Sequence, residues 1–445
     1  MSRSLLISNA RMVNEGQERE GDLLIIDGRI AQIGGQISAP AAQVIDAAGQ
    51  LLLPGMIDDQ VHFREPGATH KADMATESRA AIAGGITSFM EMPNTNPLTT
   101  TLQAVEDKFA RAQGRAWGNH AFYLGATNDN IDEIRALKPN QTCGIKVFMG
   151  ASTGNMLVDN PSTLEEIFRD APTLVATHCE DTPTVQANEA HYRAQYGDEI
   201  PVRLHPRIRS EEACWKSSSL AVDLARRHGT RLHVLHLTTA REMALFEPGP
   251  IAGKRVTAEA CVHHLYFSDA DYAQRGSLIK CNPAIKRAED RAALRAAVAE
   301  DRLDVIATDH APHTLEEKQN SSYFKTPAGL PLVQHALSMA LELVHDGDLS
   351  LVQLVQKVSH GPAELFSVRE RGFLREGYWA DLVLVDLHSP FRVVREEVLY
   401  KCGWSPLEGD TLRSRVTATL VNGELKYRDG EFFGGAGGMR LSFGH

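Results

Sequence analysis

LDVIATDHAPH, residues 303–313, places the apolar run Val305, Ile306, Ala307 directly ahead of Thr308 and Asp309 and closes on Pro312 and His313. A short apolar run bounded by turn formers reads as a buried strand, and this one ends on polar side chains. The same layout recurs upstream in GMIDDQVHF (55–63), ITSFMEMPN (86–94), HAFYLGAT (120–127), CGIKVFMGA (143–151), TLVATHCED (173–181), RLHVLHLTT (231–239) and RVTAEACVHHLYF (255–267). Helix-like segments such as LQAVEDKFARAQ and KSSSLAVDLARRH separate most of them. Eight strand-like runs alternating with helices predict an α/β fold, most simply a closed (β/α)8 TIM-like barrel. An open doubly wound sheet competes, but no G-x-G-x-x-G fingerprint follows the first strand.

Outward from the barrel, the two ends of the chain share a style. LLISNARMV and GDLLIIDGRIAQIG with Asp27-Gly28, and YWADLVLVDL and TATLVNGELKYRDGEFF with Asn422-Gly423 and Asp429-Gly430, all read as hairpins. Residues 1–54 and 366–445 are therefore expected to pair into one small β-sandwich domain, flanking a barrel over 55–365. The polar stretches 184–216 and 314–330 follow strands and are expected to be active-site loops. The Gly-rich tail GGAGGMRLSFGH is expected to be partly disordered.

Composition excludes some functions. With 445 residues and a net charge of -11, and a pI near 5.9, the chain is a poor electrostatic partner for nucleic acid or an anionic membrane. MSRSLLISNARMV carries no signal-peptide pattern and no later apolar stretch is long enough to span a bilayer, so a cytoplasmic location is expected. Six cysteines, none in a C-x-x-C pair, read as reduced thiols in or near the core.

In a barrel the C-terminal strand ends converge on one pocket. Five of the eight carry potential metal ligands: His62, Lys146, His178, His236 and Asp309. Imidazole and carboxylate suit Zn²⁺. Lys146 is the odd member, since ammonium repels a cation. Flanked by Ile145, Val147 and Phe148, it is expected to be buried, with a depressed pKa and a nucleophilic amine able to take up CO₂ as a carbamate.

This arrangement resembles the amidohydrolase superfamily. PGMIDDQVHFREPG, MPNT, GIKVFMG, ATHCE, HVLHLTT, KCNPAIK and ATDHAPH, in this order, together with GYWADLVLVD, resemble the dihydroorotases over nearly the whole chain. The resemblance implies one or two zinc ions bridged by a carboxylated Lys146, with His178 and His236 on one metal and His62 and Asp309 on the other. Gln60 stands where the family's H-x-H has its first histidine, and its neutral amide is at most a weak ligand, so the site reads as rebuilt rather than lost. Asp309 would move the proton as general base and acid. Arg64, Asn94 and His313 would clamp a substrate carboxylate, and Asn282 would contact the pyrimidine ring. A surface ion pair with Glu65 is the competing reading of Arg64, and turn formation that of Asn94 and Asn282. His120, His263, His264 and His360 read as structural, with His264 a candidate support for the site.

The implied reaction is reversible cyclisation of N-carbamoyl-L-aspartate to (S)-dihydroorotate, a step of pyrimidine biosynthesis, by a homodimer acting on a small molecule. Two alternatives stand beside it. One is a sister cyclic amidase, an allantoinase or dihydropyrimidinase. The other is a non-catalytic subunit that scaffolds aspartate transcarbamoylase, for which Gln60 is the supporting feature.

Overall fold

The computed structural model describes residues 4–150 and 156–444. Ala151, which closes the fourth quoted run, and His445 at the end of the tail lie outside the described residues.

All eight apolar runs contain strands: Met56–Val61, Ile86–Glu91, Asn119–Phe122, Ile145–Phe148, Val175–His178, Leu232–Val234, Val256–Cys261 and Val305–Ala307. Every residue in them is buried except the half-buried Val256, which is why they read as continuous apolar runs rather than alternating ones. Neighbours pair in parallel. Between the third and fourth strands the chain uses the extension Leu124–Gly125, which pairs with Ile145 and Lys146. A parallel bridge between Val61 and His310 closes the ring, and His62 N–H donates to His310 O at 2.7 Å. The result is the closed α/β barrel.

The stretch 184–216 differs from the expected loop. It is largely helical, in Thr182–Tyr196, His205–Ile208 and the start of Glu211–His228. Asp181 caps the first of these at Thr184 N–H, and Pro183 sits in its first turn. Only Val185 of that helix is buried, so there was no apolar stripe to read. Glu211–His228 is signalled more fully, by the Ser210 cap, acidic residues in the first turn, basic ones in the last, and Gly229 at φ +70°. The stretch 314–330 is mostly irregular, with the short helix Leu315–Lys318.

The two chain ends form one nine-stranded sheet. Its longest strand, Ser4–Asn14, bends at an irregularity between Ile7 and Ala10. It pairs with Gln43–Asp46 on one side of that bend and with Leu51 and Leu52 on the other. The sheet thereby folds over its own core of Leu5, Ile7, Met12, Leu23, Ile25, Leu382 and Leu420, giving the sandwich. Leu51–Pro54 pairs antiparallel with Leu382–Val385, joining the chain's two ends. Both residues of the turns Asp27-Gly28, Asn422-Gly423 and Asp429-Gly430 have positive φ, as type I′ hairpins require. The tips of the first two meet: a Cβ on Gly423 would run into the Gly28 backbone.

The Gly-rich tail is packed, not loose. His120 N–H donates to Met439 O and Leu441 N–H to His120 O, both at 2.9 Å, while Leu441 and Phe443 are buried. Glycine serves the close approach here, since a Cβ on Gly438 would overlap the Gly118 carbonyl. Among the described residues no helix is long and apolar enough to cross a membrane. All six cysteines are free thiols, five of them buried.

Candidate active site

A cavity of about 380 Å³ opens at the C-terminal ends of the barrel strands. Gln60, His62, Arg64, Asn94, Lys146, His178, His236, Asn282, Asp309 and His313 all line it. The structure therefore brings every candidate residue to one place. Three of them sit on strained backbone just past a strand end: Arg64 at φ +65°, His236 at +40° and Asp309 at +49°.

Hydrogen bonds fix the tautomers. His178 Nε2 lies 2.9 Å from Glu180 Oε2, so it carries a hydrogen and leaves Nδ1 as a lone pair. That Nδ1 faces His236 Nε2 at 2.9 Å, so Nε2 of His236 donates and its Nδ1 is bare, buried and without a partner. On the first strand, His62 Nδ1 meets Asn94 Oδ1 at 2.8 Å, and its Nε2 faces Asp309 Oδ1 at 3.1 Å. Asn94 thus holds the ring through Oδ1, which leaves its Nδ2 donors to face the cavity it lines. Burial lowers the pKa of His62, His178 and His236, favouring the neutral imidazole a metal needs.

Lys146 is fully buried, its ammonium 4.6 Å from the Phe148 ring centroid, and burial pulls its pKa down to about 8. Among the described residues no carboxylate lies within ion-pair distance of it. Gln60 donates from Nε2 to Asp309 Oδ1 at 3.1 Å, which turns its Oε1 toward Cys261 Sγ at 3.8 Å.

Arg64 is not paired with Glu65, which instead binds Arg115 and the Met74 N–H. The guanidinium turns inward, anchored by Nε to Pro312 O at 3.0 Å, and burial pulls its pKa down to about 10. Lys71 Nζ lies 3.0 Å from His313 Nδ1, so that nitrogen accepts and Nε2 carries the hydrogen, directed at Ala328 O at 3.0 Å. Arg64 Nη2 is 3.1 Å from the same Nε2. Two donors face each other there, and the fork keeps an unmet N–H. Asn282 Oδ1 is likewise buried without a partner.

Some supporting residues escaped the sequence reading. Glu180, fully buried, orients His178; burial works to raise its pKa, but Arg209 and His178 hold it down at about 2. Arg209, reached at 3.0 Å, comes from the misread helical insert. Glu180 had a signal, lying two residues past His178. Lys71 had none. His264 lies beyond the seventh strand in the short helix Val262–Tyr266, where Nε2 meets Pro283 O at 3.1 Å and so touches the Asn282 loop.

The donor set fits a divalent metal: three imidazoles whose pKa burial lowers, one with an orphaned buried nitrogen, a carboxylate, and a buried amine of lowered pKa.

Residues 51–426 match the amidohydrolase family. The allantoinase of Bacillus velezensis is 30% identical over 435 residues, covering 97% of this chain and 95% of that protein. The dihydroorotase of Lactiplantibacillus plantarum is 34% identical over 435 residues, covering 95% and 98%. Among solved structures, the L-hydantoinase (dihydropyrimidinase) of Arthrobacter aurescens aligns with a TM-score of 0.93 at 27% identity, over 99% of this chain and 100% of that one. The chain belongs to the amidohydrolase family.

Proposed function

We propose that this cyclic amidohydrolase is a dihydroorotase, interconverting N-carbamoyl-L-aspartate and dihydroorotate. The observation that carries the reading is Arg64: a half-buried guanidinium in the cavity with an unmet N–H and, among the described residues, no carboxylate within ion-pair distance. Such a fork calls for a planar anion on the substrate, and a carboxylate on the ring supplies one. Relatives named allantoinase and hydantoinase share the fold and the family, so the substrate argument rests on this fork rather than on overall similarity.

His62, His178, His236 and Asp309 would hold divalent metal, zinc by its preference for such ligands, with Lys146 as a carbamate between two positions. Bound metal supplies Lewis acidity at the scissile amide. The remaining work belongs to the chain. Asp309 takes a proton during ring opening and returns it to the leaving nitrogen, and the reverse on closure. Gln60 donates to the Asp309 carboxylate and aims it. Here it acts as a positioning donor in the place of a ligand. Arg64 holds the carboxylate, and His313, locked between Lys71 and Ala328 O, flanks it. Asn282 offers an acceptor to a ring N–H.

The test compares dihydroorotate with allantoin and dihydrouracil in wild type and Arg64→Met. The expected result is preference for dihydroorotate and a loss of about 2–4 kcal/mol in kcat/KM on that substrate, with little change on dihydrouracil. Equal losses on both would remove Arg64 from substrate recognition. Preference for a carboxylate-free ring would overturn the assignment.

A further inference from the structure

One layer below the cavity floor, Asp59 on the first barrel strand, His233 on the sixth and Glu259 on the seventh point into the barrel core with no solvent exposure. They play no part in the reaction above. One ligand atom from each lies within 4.8 Å of the others.

Proton accounting constrains the cluster. Thr257 Oγ1 donates to Leu232 O at 3.1 Å, so toward His233 it can only accept, and His233 Nδ1 at 2.9 Å carries a hydrogen. Nε2 then faces two carboxylates at once, Asp59 Oδ2 at 3.3 Å and Glu259 Oε2 at 3.4 Å. One N–H can satisfy only one of them. Neither oxygen of Asp59 accepts a hydrogen bond. Among the described residues no Lys or Arg lies within ion-pair distance of either carboxylate. His233 is the one cationic group beside them: burial works to lower its pKa, but Asp59 and Glu259 raise it to about 9, and a single imidazolium N–H still leaves two dry carboxylates under-satisfied.

The spacing suggests what is missing. Charge-assisted N–H to carboxylate bonds run about 2.7–2.9 Å, shorter than either separation here. Ligands about 2.0–2.2 Å from a tetrahedral cation stand roughly 3.3–3.6 Å from one another. The orphaned oxygens of Asp59 and the side-on donation from His233 Nδ1 to Thr257 match a metal-ligating imidazole with its outer nitrogen fixed.

We propose that Asp59, His233 and Glu259 bind a zinc-like divalent cation in the barrel core, separate from the metal site at the strand ends. The three ligands are without solvent exposure, and the consequence of binding is structural. Glu259 Oε1 accepts the His236 N–H at 3.0 Å, and Asp59 adjoins Gln60, so the cation would brace both rim residues from beneath. The inference does not depend on which ring the enzyme opens.

Crystals of the zinc-loaded wild-type protein, measured across the zinc absorption edge, should show an anomalous peak between Asp59, His233 and Glu259 in addition to any peak at the rim. Zinc content by mass spectrometry should fall by one equivalent per chain in Asp59→Asn, and by a further equivalent when His62→Ala is added. Anomalous density confined to the rim, or unchanged zinc content in a folded Asp59→Asn protein, would overturn the proposal in favour of an imidazolium sharing protons with the two carboxylates. The wild-type map decides the matter even if the variant does not fold.

Discussion

The hairpin tips of the sheet domain and the rim of the barrel share an uncommon backbone conformation but reach it differently. Asp27, Asn422 and Asp429 take positive φ in turns that demand it, with residue types that tolerate it and a glycine next. Arg64, His236 and Asp309 take it outside any hairpin turn and with no glycine following. Their conformation is imposed by what surrounds them: the Pro312 carbonyl on Arg64, the Glu259 carboxylate on the His236 N–H, and Gln60 and His62 on the Asp309 carboxylate. At the tips, strain is avoided to make a stable fold. At the rim, it is accepted to aim functional groups.

Four substitutions sharpen or break this contrast. The largest effect belongs to Lys146→Ala, which should reduce turnover to background, with short carboxylic acids and excess metal restoring part. Burial lowers the amine's pKa to about 8, so the neutral, CO₂-reactive form dominates above that pH and falls about tenfold per unit below it. Recarboxylation of stripped enzyme at fixed dissolved CO₂, followed by carbon-13 NMR, should therefore rise up to about pH 8 and then level off. Full turnover in the alanine variant would make the rim as inert as the tips.

Next comes Asp309→Asn, expected to cost about 10²–10⁴-fold in both directions of the reaction, the usual worth of a positioned acid–base group. A variant that kept one direction would show that another group moves that proton. At the tips, Gly423→Ala places a Cβ against Gly28 at φ +75° and should destabilise the protein by about 2–4 kcal/mol, leaving kcat/KM of the folded fraction unchanged. The smallest effect has the opposite sign. Arg64→Gly relieves the strained φ and removes a half-buried cation, so it should stabilise by about 1 kcal/mol in denaturant while recognition of dihydroorotate is lost. A destabilised Arg64→Gly protein would mean that the backbone at Arg64 is not strained.

The rim was legible in sequence because its chemistry recurs in a repeated unit: His62, His178, His236 and Asp309 each close or follow an apolar run, and Lys146 sits inside one. The hairpins were legible because Asp-Gly and Asn-Gly have a single strong use. The residues below and behind the rim were not. Asp59, His233 and Glu259 face inward within the strands, where a polar residue in an apolar run carries no sign of its direction. Arg209 and Lys71 act from distant segments, and only folding brings them to Glu180 and His313. The helix Thr182–Tyr196 was hidden because nearly all of it faces water.

The pairing of Leu51–Pro54 with Leu382–Val385 also sets an order of assembly during synthesis. The strands at the start of the chain leave the ribosome with one edge bare and must wait for their partners until the whole barrel sequence has been translated. At about 5–20 residues per second that wait lasts tens of seconds. Over that interval the open edge beside Leu51–Pro54 is the nascent chain's point of exposure to chaperones and to other unfinished copies.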